Sequence, residues 1–203
     1  NDMGKKISFA AFINASSIQD IDKLLNLKAI GPPSTLDISK YTVHALTPED
    51  KAEVTDLIAT VFQENILERT LGTSYSGIAT FFSSIFKEVI EDDLSFCVRD
   101  STSKELLGCF INLDATTAID PVYENGALGA LLDEAEVPVK ELIKKERGAW
   151  MDNFLSGVTS SVPADIRAKL FNLMEEEGER LARERGFEGI ITVNTNLVTQ
   201  VSS

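Results

Sequence analysis

Hydrophobic and polar residues alternate along this chain with two different periods, which predict a mixed succession of strands and helices. Strand-like patterns recur at five places: 41–46, 94–99, 106–113, 157–162 and 189–194. Apolar residues at helical spacing recur at three places: about 48–64, 78–91 and 165–185. The order of these elements predicts an α/β (mixed α+β) domain in which helices flank a sheet.

The predicted elements divide the chain into an N-terminal extension and one main domain. Residues 1–39 carry a short helical pattern and then the chain-breaking segment Gly31-Pro32-Pro33-Ser34. We therefore expect a short helix joined by a linker to a domain over 40–203. Within that domain, residues 114–156 are predicted to form a long insertion with helical propensity.

Composition narrows the classes of partner. The formal net charge of −13 argues against nucleic acid, which needs a cationic face, and mildly favours a cationic small molecule such as an amine. General acidity also serves solubility, and both interpretations stay open. No apolar run is long enough to cross a membrane, and the first residues lack a signal-peptide core. We expect a cytoplasmic protein without a membrane partner; composition does not indicate its oligomeric state.

The cysteines and the histidine predict no metal site. Cys97 and Cys109, the only two cysteines, lie inside apolar strand patterns and are expected to be reduced and buried. His44 is the only histidine, and no second histidine or nearby cysteine completes a zinc site. We interpret it as structural or solvated.

The segment 157–174 predicts an anion site. A Ser-, Thr- and Val-rich stretch ends at Pro163, and Asp165 stands where a helix cap belongs. The free N–H groups of a helix that begins at a strand end attract phosphate.

Several segments resemble the GNAT acyltransferase superfamily, and in particular its arylalkylamine (dopamine-type) N-acetyltransferases. The similar segments are Leu46-Thr-Pro-Glu-Asp50, Val61-Phe-Gln-Glu-Asn-Ile-Leu67, Glu105-Leu-Leu-Gly-Cys-Phe-Ile-Asn112, Ser161-Val-Pro-Ala-Asp-Ile-Arg167 and Gly186-Phe187. The resemblance covers about residues 41–203 and implies a GNAT-like central mixed, mostly antiparallel sheet flanked by helices. The family continues with a helix and two strands that are not among these 203 residues.

The resemblance implies acetyl-CoA as co-substrate and an amine as acceptor. The family's glycine-rich pyrophosphate loop corresponds here to Arg167, Ala168, Lys169, Leu170, Phe171 and Asn172. Leu170 places a bulky side chain where the family has a glycine, while Arg167 and Lys169 offer cations for phosphate. The pantetheine arm is expected beside Ser160 to Val162, with the Val162 N–H on the thioester carbonyl. Asn194 and Asn196 match polar residues near the pantetheine.

The resemblance also implies a catalytic pair, Glu64 and Ser161. The family's general base is a glutamate at the position of Asn65, which cannot accept a proton, so Glu64 is the substitute; a surface glutamate at a helix end is the alternative. Ser161 lies at the entry to the loop. Two functions stay open: an acetyl-CoA-dependent N-acetyltransferase for a small amine, or a GNAT-fold binding or regulatory protein without catalysis.

Overall fold

A six-stranded sheet forms the centre of the chain. The structure, a computed structural model, describes residues 5–10, 37–64, 70–124, 126, 129–130, 134 and 146–194. Its strands are β1 (Lys5–Ala10), β2 (Tyr41–Ala45), β3 (Phe96–Asp100), β4 (Leu106–Asp114), β5 (Trp150–Val158) and β6 (Gly189–Asn194). Their order across the sheet is β1-β6-β5-β4-β3-β2. The pairs β2–β3, β3–β4 and β4–β5 are antiparallel, and β5–β6 and β1–β6 are parallel.

The hairpin of β3 and β4 follows the sequence prediction. Its turn is held by the Asp100 carboxylate, which accepts hydrogen bonds from the N–H groups of Thr102 and Ser103. Strand β4 lies between β3 and β5, and all of its residues after the first are buried. The prediction of a central strand covered on both faces is therefore confirmed.

Three α-helices within the described residues flank the sheet: α1 (Lys51–Gln63), α2 (Tyr75–Asp92) and α3 (Ala164–Arg185). Helix α1 continues a 3-10 turn, Pro48–Asp50, whose start is fixed by the Asp50 carboxylate. That carboxylate accepts from the Thr47 N–H at 2.9 Å and the Thr47 hydroxyl at 2.7 Å. Helix α3 ends at Gly186, whose φ of +82° suits glycine. The three predicted helices are confirmed.

The two faces of the sheet bury separate cores. Helices α1 and α2 cover one face, where fully buried side chains include Ile58, Phe82, Ile85 and Ile111. Helix α3 covers the other face through Leu170 and Met174, which pack on Phe96 and Phe110. A Cβ on Gly178 would lie 2.8 Å from the Phe110 ring, which shows how closely α3 approaches β4 at this point.

The predicted strand at 157–162 is wrong in its position. Strand β5 spans Trp150–Val158, and Thr159–Pro163 forms the turn into α3, where the Ser161 N–H bonds the Thr159 hydroxyl. The predicted insertion 114–156 therefore runs into β5. The Ser and Thr residues of the turn gave it a strand-like composition. The polar residues Asp152 and Asn153 interrupted the apolar pattern of the actual strand, β5.

The N-terminal residues add a strand that the pattern did not predict. The β1 backbone pairs in parallel with β6, from Lys5 opposite Gly189 to Ala10 opposite Asn194. The helix expected within residues 1–39 lies outside the described residues, and the division at residue 39 stays a prediction. Among the described residues, no helix is long and apolar enough to cross a membrane.

Cys97 and Cys109 face each other in the register of β3 and β4. Both are fully buried free thiols, as predicted for their burial. Burial raises the pKa of both thiols, since a thiolate is poorly solvated in the core. His44 is exposed on β2 and lies 2.9 Å from the Thr42 hydroxyl.

Candidate active site

The neighbouring strands β5 and β6 stop pairing before either strand ends. Their ladder runs from Trp150–Gly189 to Asn153–Thr192, whereas β5 continues to Val158 and β6 to Asn194. The two parallel strands thus open a fork in the centre of the sheet, and Asn153 and Thr192 form its base.

A β-bulge marks the base of this fork. Asn153 pairs with Asn112 and Leu155 pairs with Ile111, so Phe154 is an extra residue on β5 with no partner of its own on β4. As a consequence, the consecutive side chains Phe154 and Leu155 both pack on the core beneath α1 and α2. A bulge re-aims backbone and side chains locally, which is why bulges recur next to active sites.

Beyond the bulge, no strand among the described residues pairs with the edge of β5 that faces away from β4. The Thr159 N–H donates to the Leu107 carbonyl of β4 at 2.8 Å, so Thr159 and Leu107 form a hydrogen-bonded antiparallel pair. Alternation then directs the polar backbone groups of Ser156 and Val158 away from β4, into the fork. An extended ligand could pair with this edge as an additional strand.

The fork base is polar although the surrounding sheet is apolar. The Asn153 amide donates to Asn112 Oδ1 at 3.1 Å, and the fully buried Asn112 donates to the Leu94 carbonyl at 2.9 Å. Ser95 holds the Asn112 backbone through two hydrogen bonds of 2.9 Å. A satisfied buried network of this kind fixes the Asn153 side chain at the fork.

A small cavity of about 20 Å³, room for a water-sized group, adjoins the fork base beneath α3. Its apolar walls are Phe110, Phe171 and Ile190, and its polar groups are Asn153, Thr192, Glu175 and Glu179. The two glutamates are one helical turn apart and face the sheet together. The cavity thus combines aromatic rings with carboxylates, and the Glu179 carboxylate is paired with Arg183 at 2.9 Å.

The opposite side of the fork lies beneath α1 and α2. A Cβ on Gly157 would lie 3.4 Å from the Val61 side chain, which places the last turns of α1 over β5. Phe81 of α2 stacks on Tyr123 at 5.1 Å between ring centroids and lies 6.0 Å from Phe154. These three rings form an aromatic cluster next to the bulge.

The residues assigned to the pyrophosphate loop lie inside helix α3. Helix α3 begins at Ala164, so the set Arg167, Ala168, Lys169, Leu170, Phe171 and Asn172 belongs to its first turns. The Arg167 N–H already donates to the Pro163 carbonyl at 2.9 Å, and Leu170 is fully buried. Backbone N–H groups within a helix are engaged by carbonyls of the preceding turn and are not available to phosphate.

The other predicted site residues are not brought together in one cluster. Ser161 and Val162 lie in the turn after β5, with Ser161 exposed and Val162 packed beside Leu170 and Met174. Glu64 is exposed at the end of α1, one turn after Val61. Asn65, Asn196 and the side chain of Asn194 lie outside the described residues.

Sequence reasoning missed the residues of the fork base. Asn112 and Asn153 are polar residues inside otherwise apolar strands, and that interruption was the available signal. Pairing in the fold, rather than spacing along the chain, brings these two residues together. Among the described residues, no three histidine, cysteine, aspartate or glutamate side chains cluster as metal ligands would.

The chain is similar in sequence to a known protein. The chain is 29% identical over 161 residues to the beta-alanyl-bioamine nonribosomal peptide synthetase ebony of Drosophila melanogaster, a match that covers 75% of this chain and 18% of that protein. The chain thus spans less than a fifth of this relative's length. No protein-family model matches the chain.

Two solved structures share the fold. The C-terminal condensation domain of Ebony in complex with beta-alanyl-dopamine is 27% identical, with a TM-score of 0.75 over 80% of this chain and 79% of that one. Arylalkylamine N-acetyltransferase 2 from Aedes aegypti is 15% identical, with a TM-score of 0.63 over 80% of each chain. The predicted fold class is confirmed, and similarity to the condensation domain exceeds similarity to this arylalkylamine enzyme. The chain therefore has the GNAT-like fold, with a mixed, mostly antiparallel sheet flanked by helices.

Proposed function

We propose that this chain transfers an acyl group from a thioester to the amino group of a small aromatic amine, which forms an amide and releases the free thiol as the C–S bond breaks. The fork carries the proposal: β5 and β6 separate at a bulge, and no described strand pairs with the backbone groups of Ser156 and Val158 that point into the fork. The similarity to a condensation domain that binds beta-alanyl-dopamine supports an amide of an aromatic amine as product.

The donor's pantetheine arm is placed along the open edge of β5. The arm carries amide groups that can exchange hydrogen bonds with Ser156 and Val158, as a strand would. Its thioester then lies at the Phe154 bulge, where a backbone N–H can polarise the carbonyl. This placement replaces the one expected beside Ser160 to Val162, because those residues turn away into α3.

Two donors are compatible with this placement. Acetyl-CoA is the donor implied by the GNAT resemblance, and a beta-alanyl thioester is the donor suggested by the similarity to the Ebony synthetase and to the Ebony condensation domain. The helical position of Arg167 to Asn172 gives the nucleotide part of CoA few free backbone donors. We therefore expect the pantetheine part of the donor to supply most of the binding.

The acceptor is placed beneath α1 and α2, where the aromatic cluster of Phe81, Tyr123 and Phe154 borders the bulge. Glu64 remains the proposed base. It lies one turn beyond Val61 and is exposed to solvent, a position in which it could accept the proton that the amine loses. Removing a general base lowers kcat by roughly 10² to 10⁴, so Glu64→Gln tests this role.

The test is amide formation measured by mass spectrometry. Acetyl-CoA, beta-alanyl-CoA and beta-alanyl-pantetheine are each mixed with dopamine, tyramine and a non-aromatic amine. We expect aromatic amides, with kcat/KM for beta-alanyl-pantetheine within about threefold of that for beta-alanyl-CoA, a difference below about 0.7 kcal/mol. Absence of amide from every donor would contradict the proposed reaction.

A second candidate is a binding or regulatory protein without catalysis. The helical position of the six loop residues favours it, because acetyl-CoA then lacks the backbone cradle that the family uses. Binding of beta-alanyl-dopamine in calorimetry, together with no turnover of any thioester, would support this candidate.

A further inference from the structure

We propose that Tyr123 occupies, in the free chain, the subsite that takes the aromatic ring of the acceptor amine, and that the acceptor binds there by displacing it. Tyr123 belongs to a strap, residues 117–124, which follows β4 and lies along α2. The inference rests on the proposed function and deepens it, since it assigns the acceptor's ring to one face of Phe81.

Three polar contacts fasten the strap along α2, from the last residue of the helix to the residue that caps its start: Thr117 with Asp92, Val122 with Ser84, and Glu124 with Ser74. The Thr117 hydroxyl donates at 2.6 Å, and the Val122 N–H donates to the serine oxygen at 3.0 Å. The Glu124 carboxylate accepts from the Ser74 N–H at 2.8 Å, at the end of the helix that favours a negative charge.

The strap lies on the surface of the fold. Residues 115–124 alternate between exposed and half-buried, and none of them is fully buried. Val122 faces solvent and is 54% exposed, whereas Ile119 and Tyr123 pack on the core beneath α2. Segments with few buried contacts open at a lower free energy than the core of a protein. The strap can therefore leave α2 while the helices and the sheet remain folded.

Two glycines make room for the closed position of the strap. A Cβ on Gly77, in the first turn of α2, would overlap the Glu124 carboxylate. A Cβ on the buried Gly129 would lie 2.8 Å from the Tyr123 ring. Alanine favours a helix more than glycine does, so Gly77→Ala should displace the Glu124 carboxylate without weakening α2.

The ring of Tyr123 has the chemistry of an acceptor ring. It is a hydroxyphenyl group, the same group that tyramine carries, and it stacks on Phe81 at 5.1 Å and 26°. Phe81 in turn lies 6.0 Å from Phe154, the bulge residue at which the thioester is placed. An arylethylamine stacked on Phe81 can place its amino group at the bulge, because two carbons separate its ring from its nitrogen. Tyr123 and the acceptor therefore compete for the same face of Phe81.

The sign of a substitution effect separates an occupant from a wall. A subsite that the chain itself fills lowers the apparent affinity for a ligand by the fraction of molecules in which the subsite is empty. Removing Tyr123 should then tighten acceptor binding. If Tyr123 were a fixed wall of the acceptor site, its removal would cost contacts and weaken binding instead.

The first experiment titrates tyramine in calorimetry without any donor, with butylamine, which has no ring, as the control ligand. We expect Tyr123→Ala to lower the Kd of tyramine by about fivefold or more. Glu124→Ala and Gly77→Ala release the strap but keep the ring, so each should lower it by about twofold to threefold. Asp120→Ala removes an exposed carboxylate from the same strap and should leave it unchanged. The Kd of butylamine should not change in any variant.

Hydrogen exchange reports the position of the strap directly. The Val122 and Ser74 amides donate across the contact between the strap and α2. Both should exchange faster when tyramine saturates the chain, because the bound ring displaces Tyr123. The Asp114 amide, which donates to Asp92 ahead of the strap, should keep its rate.

Weaker binding of tyramine by Tyr123→Ala would overturn the inference. Slower exchange of the Val122 and Ser74 amides in the tyramine-bound chain would overturn it as well, as would the absence of tyramine binding from both proteins. Amide formation with an unchanged tyramine Kd in Tyr123→Ala would overturn the inference alone. Tighter binding by this variant, with no amide from any thioester, would support the subsite and contradict the proposed reaction.

Discussion

Leu170 was predicted to lie in a binding loop, and the structure places it in the core. Aligned with a loop glycine, it appeared to obstruct a phosphate site, but its side chain is fully buried between α3 and β4. Local sequence does not distinguish a loop residue from a core residue one turn into a helix, because the boundary depends on where β5 ends. The same uncertainty applied to the neighbouring residues 167–172.

Leu170→Ala should therefore lower the free energy of unfolding by about 2–5 kcal/mol, the range for truncating a buried leucine. Ala168, two residues earlier in the helix, is exposed, so Ala168→Gly should lower the free energy of unfolding by about 1 kcal/mol through its lower helix propensity. Urea denaturation of both variants checks this. A loss below about 1 kcal/mol for Leu170→Ala would contradict a core role for this side chain.

At the scale of elements, prediction succeeded where a pattern was regular and failed where it was interrupted. The stripes of α1 and α2 and the capping at Thr47 identified those helices, because each depends on residues close in sequence. Strand β5 was misplaced because its bulge at Phe154 breaks the two-residue alternation. The fork was not predictable for the same reason, since it depends on how β5 pairs with strands distant in sequence.

Two aspartates with buried carboxylates hold the two ends of the predicted insertion. Asp92 is the last residue of α2, and Asp114 is the last residue of β4. Asp114 accepts hydrogen bonds from the N–H groups of Thr116, at 2.9 Å, and Gly148, at 2.6 Å. Asp92 accepts from the Asp114 N–H at 2.8 Å and pairs with Arg147 at 2.7 Å. The two carboxylates thus join the first and last residues of the insertion to the sheet.

The protonation of Asp114 should couple this region to pH. Burial raises the pKa of Asp114. Hydrogen bonds from Thr116 and Gly148 and the charge of Arg147 lower this pKa by more, so the net shift is downward. A depressed pKa in the folded state stabilises the fold above the unfolded pKa of about 3.9, and this stability is lost as pH falls through the folded value.

Asp114→Asn should lower the free energy of unfolding by about 1.5–3 kcal/mol at pH 7, the range for hydrogen bonds to a charged group. The difference between the two proteins should persist above about pH 5 and shrink below about pH 4. Denaturation at several pH values measures it, and exposed Asp120→Asn is the control. A difference that stays constant down to pH 3 would show that the Asp114 charge contributes nothing.

Strand β5 also offers a direct test of the open edge. Proline at Ser156 removes an N–H that points into the fork and spares the hydrogen bonds that β5 makes to β4. We expect Ser156→Pro to reduce kcat/KM by about 10² or more, the effect of losing one positioned donor. Ser156→Ala keeps the N–H and should retain activity. Equal activity of the proline and alanine variants would exclude this edge as the donor site.

For the whole molecule, the order of elements was sufficient to predict the class of fold, while the site required the assembled sheet. Fold class follows from the succession of strands and helices along the chain, which the pattern contains. The site lies between β5, β6 and α3, and its polar members Asn112, Asn153 and Thr192 meet only through strand pairing. Sequence motifs assigned a phosphate loop to residues 167–172, which lie in the first turns of α3, and their role in binding stays a prediction.

The fork divides β5 into two kinds of backbone amide, and hydrogen exchange can separate them. Leu155 and Gly157 belong to the pairs that bond β4, whereas Ser156 points into the fork. In the free chain we expect the Ser156 and Val158 amides to exchange at least tenfold faster than those of Leu155 and Gly157. A saturating, non-hydrolysable amide analogue of beta-alanyl-pantetheine should slow the first pair and leave the second nearly unchanged. Uniform protection along β5 in the free chain, or an analogue that binds without slowing Ser156 and Val158, would contradict the placement of the donor in the fork.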